Sequence, residues 1–363
     1  MLFFLSDYKV IFGPLRLFEY VTFRAAGAAI TALLLTLLLG PLTVKLLKKF
    51  NASAPNRYEQ LLPEEYQNHE KDKTPSMGGL LIIFAIATSA LLWTNLINPL
   101  ALLCFLTLVS LGILGFIDDY IKVAHRDRNG VAGRIKLIVQ FGIAIGVVWY
   151  LSTLPETGKF MHQLMVPLMK NPITSSGWVM ALSVLVIVGS SNAVNLTDGK
   201  DGLAPGCSIF CVLAYGIMAY LCGHIKFASY LSIPYISGIS EVVVFSSAVA
   251  GACTGFLWYN CSPASMFMGD TGSLALGGII GLIAVLVRQE LILAIIGGVF
   301  VMEAGSVVLQ VLSYKLFKRR IFRCAPIHHH FEYKGWPESQ IVIRFWILAG
   351  IFAVIGLATL KLR

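Results

Sequence analysis

The chain has 363 residues, of which 57% are hydrophobic and only 13% are charged. A soluble globular domain carries about 25% charged residues, so this composition excludes an ordinary soluble protein and indicates an integral membrane protein. The net charge of +9 does not require a nucleic-acid partner. Membrane topology and anionic lipid account for most of it, and a phosphate-rich ligand could use the rest.

Apolar runs of roughly twenty residues recur along the chain, and this is the length that a helix needs to cross about 30 Å of hydrocarbon. Helices must span the membrane, since the alternating pattern of a membrane barrel is absent. The predicted fold is all-α, a single transmembrane domain over residues 1–363 with ten helices. The predicted spans are 25–48, 77–94, 99–119, 135–153, 178–194, 204–222, 241–258, 273–287, 291–314 and 341–361.

The distribution of basic residues predicts the orientation. Residues 1–23 are apolar but carry four charges and lack a cleavage signature, so we expect an interfacial segment and not a signal peptide. Ten spans place both termini on one side, and 19 of the 28 lysines and arginines fall in alternate connections, which are therefore cytoplasmic. Both termini are then periplasmic. The predicted cytoplasmic loops are about 50–76, 120–136, 195–203, 259–272 and 315–340.

The first polar stretch, "GFIDDYIKVAHRDRNGVAGRIK", ends the third span. Asp118 and Asp119 leave the hydrocarbon side by side, and Lys122 lies one turn after Asp118 on the same face. Adjacent acids here are costly unless they are paired. They either pair with nearby Lys122, Arg126 or Arg134, or hold Mg²⁺ or a phosphate, since carboxylate oxygens suit a hard cation.

The second polar stretch, "SSNAVNLTDGKDGLAPG", joins spans five and six. Asn192 and Asn195 share a helical face, while Asp198, Lys200 and Asp201 lie among glycines that let backbone amides face a ligand. The alternative is a structural turn in which Asp198 caps the following helix. A turn that only joins two helices needs fewer polar groups, so we favour a binding site.

The third polar stretch, "WYNCSPASMFMGDTGSLALGG", carries Asn260 and Asp270 and has no lysine or arginine. Asp270 alone is explained as a helix cap. All the acids described so far, however, fall on the same predicted membrane face. That sidedness favours a shared site.

The fourth polar stretch, "IHHHFEYKGWPESQIVIRFW", begins with three histidines. In a loop, His328 and His330 can converge on one ligand while His329 turns aside. Zinc is disfavoured because no cysteine or carboxylate lies at a familiar zinc spacing. The neighbouring basic residues favour a phosphate or diphosphate, and Phe331 and Trp336 are suited to anchor the segment at the headgroup level.

Two further features complete the polar inventory. Lys71, Thr74 and Ser76 precede a predicted helix start, which presents hydroxyls and free amides to an anion; for Lys71 the alternative is a lysine that only snorkels. Glu303 lies inside span nine, where a carboxylate indicates a functional site unless Gln310 or a nearby serine merely satisfies it.

Five motifs occur in one order along the chain: "TPSMGG", "GFIDDYIK", "NAVNLTDGKDGLA", "MGDTGSLALGG" and "PIHHHFEYKGWPESQIVIRFW". In content and spacing they resemble the phospho-N-acetylmuramoyl-pentapeptide-transferase family, part of the polyprenyl-phosphate N-acetylhexosamine-1-phosphate transferase superfamily. The resemblance runs from the first span to the C-terminus. The triple histidine followed by "GW" distinguishes this family from relatives that use other amino-sugar nucleotides.

The resemblance implies a ten-helix bundle with a cytoplasmic cleft, present as a homodimer in the bacterial cytoplasmic (inner) membrane. It implies transfer of phospho-MurNAc-pentapeptide from UDP-MurNAc-pentapeptide to undecaprenyl phosphate, with Mg²⁺ as cofactor. The products are UMP and lipid I, the first membrane-bound intermediate of peptidoglycan synthesis. The alternative within the enzyme class is a sister transferase using UDP-N-acetylglucosamine. A secondary transporter is disfavoured because its charges would lie near the membrane midplane.

The resemblance also assigns residues, position by position. It implies that Asp118 and Asp119 are the paired aspartates and that Asp270 contributes to the Mg²⁺ site. Ser76 is the one visible departure, since the family commonly has threonine there; serine keeps the hydroxyl. The catalytic candidates are Asp118, Asp119, Asp270 and His329, and the substrate-binding candidates are Lys71, Ser76, Lys122, Asn192, Asn195, Asp198, Asp201, Asn260, Phe267, Gln310, His328 and His330.

The role of each aspartate stays open at this stage. Asp118 as the base that deprotonates the lipid phosphate is one interpretation, and Asp119 as the nucleophile of a covalent intermediate is the other. A phosphate monoester has a second pKa near about 6, so most of the acceptor is already dianionic at neutral pH. We therefore expect positioning and metal binding to matter more than proton removal.

Overall fold

The computed structural model describes residues 1–50, 52, 74–125, 130–167, 169, 171–174 and 177–362. About three quarters of these residues are helical, and the described strands form a two-strand antiparallel hairpin of β1 (Gln163–Leu164) and β2 (Ile173–Thr174). Short 3₁₀ helices lie at Leu2–Tyr8, Gly13–Glu19, Gly158–Phe160 and Thr359–Lys361. The α-helices are α1 (Val21–Lys49), α2 (Gly79–Trp93), α3 (Pro99–Ala124), α4 (Gly133–Thr153), α5 (Trp178–Thr197), α6 (Leu203–Cys222), α7 (Ile225–Leu231), α8 (Ser240–Asn260), α9 (Gly269–Leu286), α10 (Leu293–Ile296), α11 (Gly298–Phe317), α12 (Ile327–Glu332) and α13 (Glu338–Ala358).

The all-α membrane fold is confirmed. Within the described residues, nine helices are long and apolar enough to cross a membrane. The second predicted span, 77–94, is the apolar helix α2, which has 15 residues and therefore a length of about 22 Å. The ninth predicted span, 291–314, is divided at Gly297 into α10 and α11, so its boundaries were wrong.

Helix α9 lies at the centre of the bundle and is buried along most of its length between α3 and α5. Small residues permit this close packing. A Cβ at Gly277 would lie 2.4 Å from the carbonyl oxygen of Ser190 in α5, and a Cβ at Gly115 would lie 2.2 Å from the carbonyl oxygen of Asp270. Glycine at position 115 thus brings the last turns of α3 against the first turn of α9.

The start of α3 is specified locally. The side chain of Asn98 accepts hydrogen bonds from the backbone N–H groups of Leu100 and Ala101, at 2.9 and 3.3 Å. Pro99 occupies the first helical position, where its missing N–H costs nothing. With its start fixed, the helix runs 26 residues and delivers its two aspartates to the opposite end of the bundle.

Candidate active site

Three aspartates meet where α3 ends and α9 begins. Asp118 and Asp119 are in the last two turns of α3, and Asp270 is in the first turn of α9. One carboxylate oxygen from each lies within 4.8 Å of the others. Asp118 and Asp119 are buried, whereas the side chain of Asp270 is 15% exposed. The predicted convergence of these acids is therefore present in the fold.

Two lysines neutralise part of this cluster. Lys122 Nζ lies 2.5 Å from Asp118 Oδ2 and 3.1 Å from Asp270 Oδ2, which agrees with the predicted shared face of Asp118 and Lys122. Lys136, from the first turn of α4, lies 3.1 Å from Asp118 Oδ1 and 2.9 Å from Asp270 Oδ2. Three acids thus share two lysines.

Asp119 is held by the start of α9. Its Oδ1 accepts from the backbone N–H of Asp270 at 3.1 Å, and its Oδ2 accepts from the N–H and hydroxyl of Thr271 at 2.9 and 2.7 Å. Backbone N–H groups at a helix start lack intrahelical partners and favour negative charge. Gly269, at φ +74°, is required here, because a Cβ would lie 2.6 Å from Asp119 Oδ2.

The end of α5 supplies the amide side of the cluster. Asn195 Nδ2 donates to Asp270 Oδ1 at 2.9 Å and to Ser273 Oγ at 2.8 Å. Asn192 lies one turn earlier and donates instead to Gln140 Oε1 at 2.9 Å. Among these contacts, Asn195 therefore joins the acid cluster directly, and Asn192 packs behind it.

Asp198 is the C-cap residue of α5, which contradicts the disfavoured alternative that it caps the following helix; Gly202, at φ +79°, precedes α6. Burial raises the pKa of Asp198 well above its usual range, and the charges of Asp270 and Asp119 raise it further, against a hydrogen bond from the N–H of Gly269. The pocket therefore holds more acid than its lysines neutralise, which suits a cationic ligand.

The turn between α5 and α6, residues 198–202, is fixed from three sides. Asp201 Oδ2 accepts from the N–H of Ala264 at 3.1 Å, and the N–H of Asp201 donates to Glu338 Oε1 at 3.1 Å. Asn260 Oδ1 accepts from the N–H of Gly202 at 3.0 Å. Two predicted site residues, Asp201 and Asn260, thus shape this turn through side-chain contacts.

The histidine segment is a short helix, α12, and not a loop. Side chains two positions apart on a helix point about 200° apart, so His328 and His330 face away from each other and their predicted convergence was wrong. The rings of His328 and His329 lie together instead, with centroids 4.2 Å apart. The Nδ1 of His330 accepts from the N–H of Arg323 at 3.2 Å, and its ring contacts Phe322.

His329 connects α12 to the 198–202 turn. Its Nδ1 lies 2.9 Å from Glu332 Oε2, and Glu332 Oε1 lies 2.5 Å from Lys200 Nζ. Burial lowers the pKa of His329, against the hydrogen bond with Glu332. Burial would raise the pKa of Glu332, but the hydrogen bond with His329 and the charge of Lys200 outweigh it and lower that pKa to about 2.

Glu303 contacts a histidine, and among the described residues Gln310, Ser306 and Ser313 donate to backbone carbonyls and not to its carboxylate. Glu303 Oε2 lies 2.9 Å from His328 Nδ1. Gln310 instead bridges the backbone of the segment after α11, accepting from the N–H of Phe322 at 2.9 Å and donating to its carbonyl oxygen at 3.0 Å. Gln310 of α11 thus holds the backbone of residues 321–322.

The segment before α2 lies beside the acid cluster. A Cβ at Gly269 would lie 3.0 Å from Ser76 Oγ as well as 2.6 Å from Asp119, so Ser76 borders the cluster. Phe267 is joined to this segment through its backbone, donating to Pro75 and accepting from Gly78, both at 2.8 Å. Lys71 lies outside the described residues.

Some contacts of the site could not be found from the sequence. Lys136 lies at a helix start whose basic residues are typical of a membrane boundary. Thr271 lies in the third polar stretch, but 152 positions separate it from Asp119, which it contacts. Glu303 and His328 are 25 positions apart, so no local spacing joins them. The one available signal was the position of Glu303 inside an apolar span.

Known proteins are similar to this chain along nearly its whole length. A family model described as glycosyl transferase family 4 matches residues 100–288, and a phospho-N-acetylmuramoyl-pentapeptide-transferase signature matches residues 71–83. The chain is similar to the phospho-N-acetylmuramoyl-pentapeptide-transferase of Methylacidiphilum infernorum (isolate V4), with 46% identity covering all of both chains. It is equally similar to the protein of that name from Koribacter versatilis (strain Ellin345), with 46% identity over 97% of this chain and 96% of the relative.

Proposed function

Because this chain belongs to the phospho-N-acetylmuramoyl-pentapeptide-transferase family, we propose that it makes lipid I. It transfers phospho-MurNAc-pentapeptide from UDP-MurNAc-pentapeptide to undecaprenyl phosphate and releases UMP, the first membrane step of peptidoglycan synthesis. The observation that carries this proposal is the cluster of Asp118, Asp119 and Asp270 with Lys122 and Lys136 at one end of a membrane bundle, in a chain similar to such transferases along its full length.

The position of the cluster suits a reaction between a water-soluble donor and a lipid acceptor. Their phosphates can meet only at the membrane boundary, and the acid cluster lies at the end of the apolar bundle. Lys122 and Lys136 are 14% and 18% exposed, and they contact three and two of the carboxylates, respectively. An ammonium group that shares its contacts is well placed to turn to a phosphate.

We propose Mg²⁺ as the cofactor. The three carboxylates supply the hard oxygen donors that Mg²⁺ prefers, within 4.8 Å of one another. Asp270, Asp118 and Asp119 would hold it. A bound Mg²⁺ offsets the charge of the donor diphosphate and of the departing UMP.

The contacts of Asp119 support a direct transfer over a covalent intermediate. Both of its oxygens accept hydrogen bonds from residues 270–271, so the carboxylate is fixed in place, with three of its about four lone pairs engaged and one on Oδ1 left for the cation. Asp118 contacts both lysines. In this proposal, Asp118 orients the lysines and the acceptor phosphate, and Asp119 fixes the start of α9.

The 198–202 turn is proposed to bind the uridine nucleotide, together with Asn260 and Phe267. Support comes from the contacts of Asp201 and Asn260, which order the turn next to Asp270. His329 lies on the same side, through Glu332 and Lys200. The donor would then extend from this turn to the acid cluster.

We further propose that the site faces the cytoplasm from the inner membrane. Each chain forms a single transmembrane domain, and two chains form a homodimer. The orientation follows from the 19 lysines and arginines on one predicted face. Gly133→Cys and Lys159→Cys lie at opposite ends of α4. An impermeant thiol reagent should reach Gly133→Cys from the cytoplasmic side and Lys159→Cys from the periplasmic side. Reaction from one side would contradict the orientation, and a monomeric mass in detergent would contradict the dimer.

One assay tests the function directly. Purified protein is supplied with undecaprenyl phosphate, Mg²⁺ and either UDP-MurNAc-pentapeptide or UDP-N-acetylglucosamine, and UMP release is measured. Release with only the muramoyl donor is expected. Release with only the other donor would indicate the sister transferase, and release with neither would contradict the proposal.

A further inference from the structure

We propose that Glu303 is a positioning residue. It determines which nitrogen of the His328 ring carries the hydrogen, and the ring so oriented holds the nucleotide-binding turn at 198–202. The pair joins three parts of the chain, since Glu303 is in α11, His328 is in α12, and the ring packs against Gly199 of the turn. This inference rests on the proposed function for its kinetic consequence. Its structural claim stands by itself.

The pair is sealed from solvent. The side chains of Glu303 and His328 are 0% and 1% exposed, and Oε2 lies 2.9 Å from Nδ1. A carboxylate accepts hydrogen bonds and cannot donate, so the hydrogen in this contact lies on Nδ1. Glu303 therefore selects one form of the ring, in which the direction of Nε2 is also fixed.

The other ring nitrogen faces the turn. His328 Nε2 is buried and has no hydrogen-bond partner within the part of the chain that the structure describes. It lies 2.6 Å from the point that a Cβ at position 199 would occupy. Only glycine fits between Asp198 and Lys200 at this distance, so the turn rests directly on the ring.

A second connection reaches the same turn from the neighbouring residue. His329 contacts Glu332, and Glu332 contacts Lys200. The two rings are 4.2 Å apart, so each restricts the other. The turn is thus supported by two adjacent histidines of α12, and the orientation of the first depends on a carboxylate in α11.

The expected consequence concerns donor binding more than the chemical step, because neither Glu303 nor His328 contacts Asp118, Asp119 or Asp270 in any described hydrogen bond or ion pair. Glu303→Gln keeps the shape of the side chain but offers both an acceptor and a donor, so it no longer selects Nδ1–H. Its KM for UDP-MurNAc-pentapeptide should rise roughly tenfold, the lower range for loss of an orienting partner. Its kcat should stay within about twofold.

Ser306→Ala is the matched control. Ser306 is buried on the same helix, one turn from Glu303, but its hydroxyl donates to the backbone carbonyl of Glu303 at 2.7 Å and leaves the carboxylate untouched. Its KM should equal that of the unchanged chain. An equal KM rise in both variants, no KM change in Glu303→Gln, or a loss confined to kcat would overturn the inference.

A spectroscopic measurement separates this inference from the proposed function. In protein labelled with ¹⁵N-histidine, His328 should show a protonated Nδ1, with its signals assigned by their loss in His328→Asn. Glu303→Gln should change that signal, and Ser306→Ala should not. An unprotonated Nδ1 in the unchanged chain would overturn the inference whether or not UMP is released. Absence of UMP release with the expected Nδ1 signal would instead overturn only the proposed function.

Discussion

The two ends of the bundle each bury charged side chains, and they do so differently. At the end opposite the acid cluster, Arg24 of α1 and Glu241 of α8 form a two-bond pair at 2.7 Å for each bond, with side chains 2% and 9% exposed. The N–H of Asn95 also donates to Glu241. At the acid cluster, three carboxylates share two partly exposed lysines.

The difference lies in the matching of charge. One guanidinium and one carboxylate are matched in charge and held in fixed geometry by two hydrogen bonds, and such a pair clamps α1 to α8 with no excess charge for a ligand. The acid cluster has one acid in excess and lysines that each contact several partners. Buried charge alone therefore does not identify a functional site, whereas unequal charge with access to solvent does.

The largest effect is expected from Asp270→Asn. This change removes the charge that both lysines and Asn195 contact, so kcat/KM should fall on the order of 10³-fold, as for loss of one preorganised electrostatic group. UMP release measures the activity, and thermal unfolding in detergent measures the stability. Glu241→Gln is the matched change at the Arg24–Glu241 pair and should lower stability while leaving activity per folded molecule unchanged.

Breaking the Arg24–Glu241 pair should instead lower stability and leave activity per folded molecule unchanged. Arg24→Met leaves Glu241 buried without its cation, which typically costs about 3–5 kcal/mol of stability. The double change Arg24→Met with Glu241→Leu should recover most of that loss. If Arg24→Met abolished UMP release in fully folded protein, the assignment of a structural role to one end of the bundle and a catalytic role to the other would be wrong.

Lys136→Gln tests the lysine that the sequence did not indicate. Losing a charged contact of this kind costs about 1.5–3 kcal/mol, so kcat/KM should fall roughly 10- to 100-fold. Lys159→Gln changes an exposed lysine at the other end of α4 and should have no effect. Equal activity of the two variants would remove Lys136 from the site.

Asp118→Asn distinguishes proton removal from positioning. Because the acceptor phosphate loses its second proton near about pH 6, a variant lacking only a base should recover partly as the pH rises from 6 to 8.5. A flat loss of UMP release across this range would instead indicate that Asp118 acts through the lysines and the cation.

A smaller effect is expected from pH on stability near α12. The folded pKa of Glu332 is about 2, below its usual value, so the unfolded chain binds the proton first and stability falls as the pH drops from about 4.5 toward 2. The lowered pKa of His329 acts in the same direction below its usual value. The difference between the unfolding temperatures at pH 7 and pH 4 should be smaller in Glu332→Gln than in the unchanged chain. An equal difference in the two proteins would contradict this.

The parts of the site that were predicted from the sequence are those encoded within one element. Asp118 and Lys122 follow from helical spacing, and Asp270 from its position at a helix start. Lys136 and Glu303 reach the site from other helices, which local spacing cannot reveal. The histidine segment was predicted as a loop because six residues are too few for a helical period to show.

The membrane helices were predicted more completely than the site, because the bilayer imposes one length and one composition on each span. Where that constraint weakens, the prediction was less accurate. Gly297 divides the ninth span, and the 198–202 turn is ordered by contacts with Asn260, Ala264 and Glu338, which are distant from it in the sequence.

The central claim is that Asp118, Asp119 and Asp270 form one divalent-cation site. Mn²⁺ is a paramagnetic substitute for Mg²⁺, and electron paramagnetic resonance counts the bound ion without any need for turnover. One Mn²⁺ per chain should bind to the unchanged protein and to Glu241→Gln, and binding should be lost in Asp270→Asn. Equal Mn²⁺ binding by Asp270→Asn and the unchanged protein would contradict the claim.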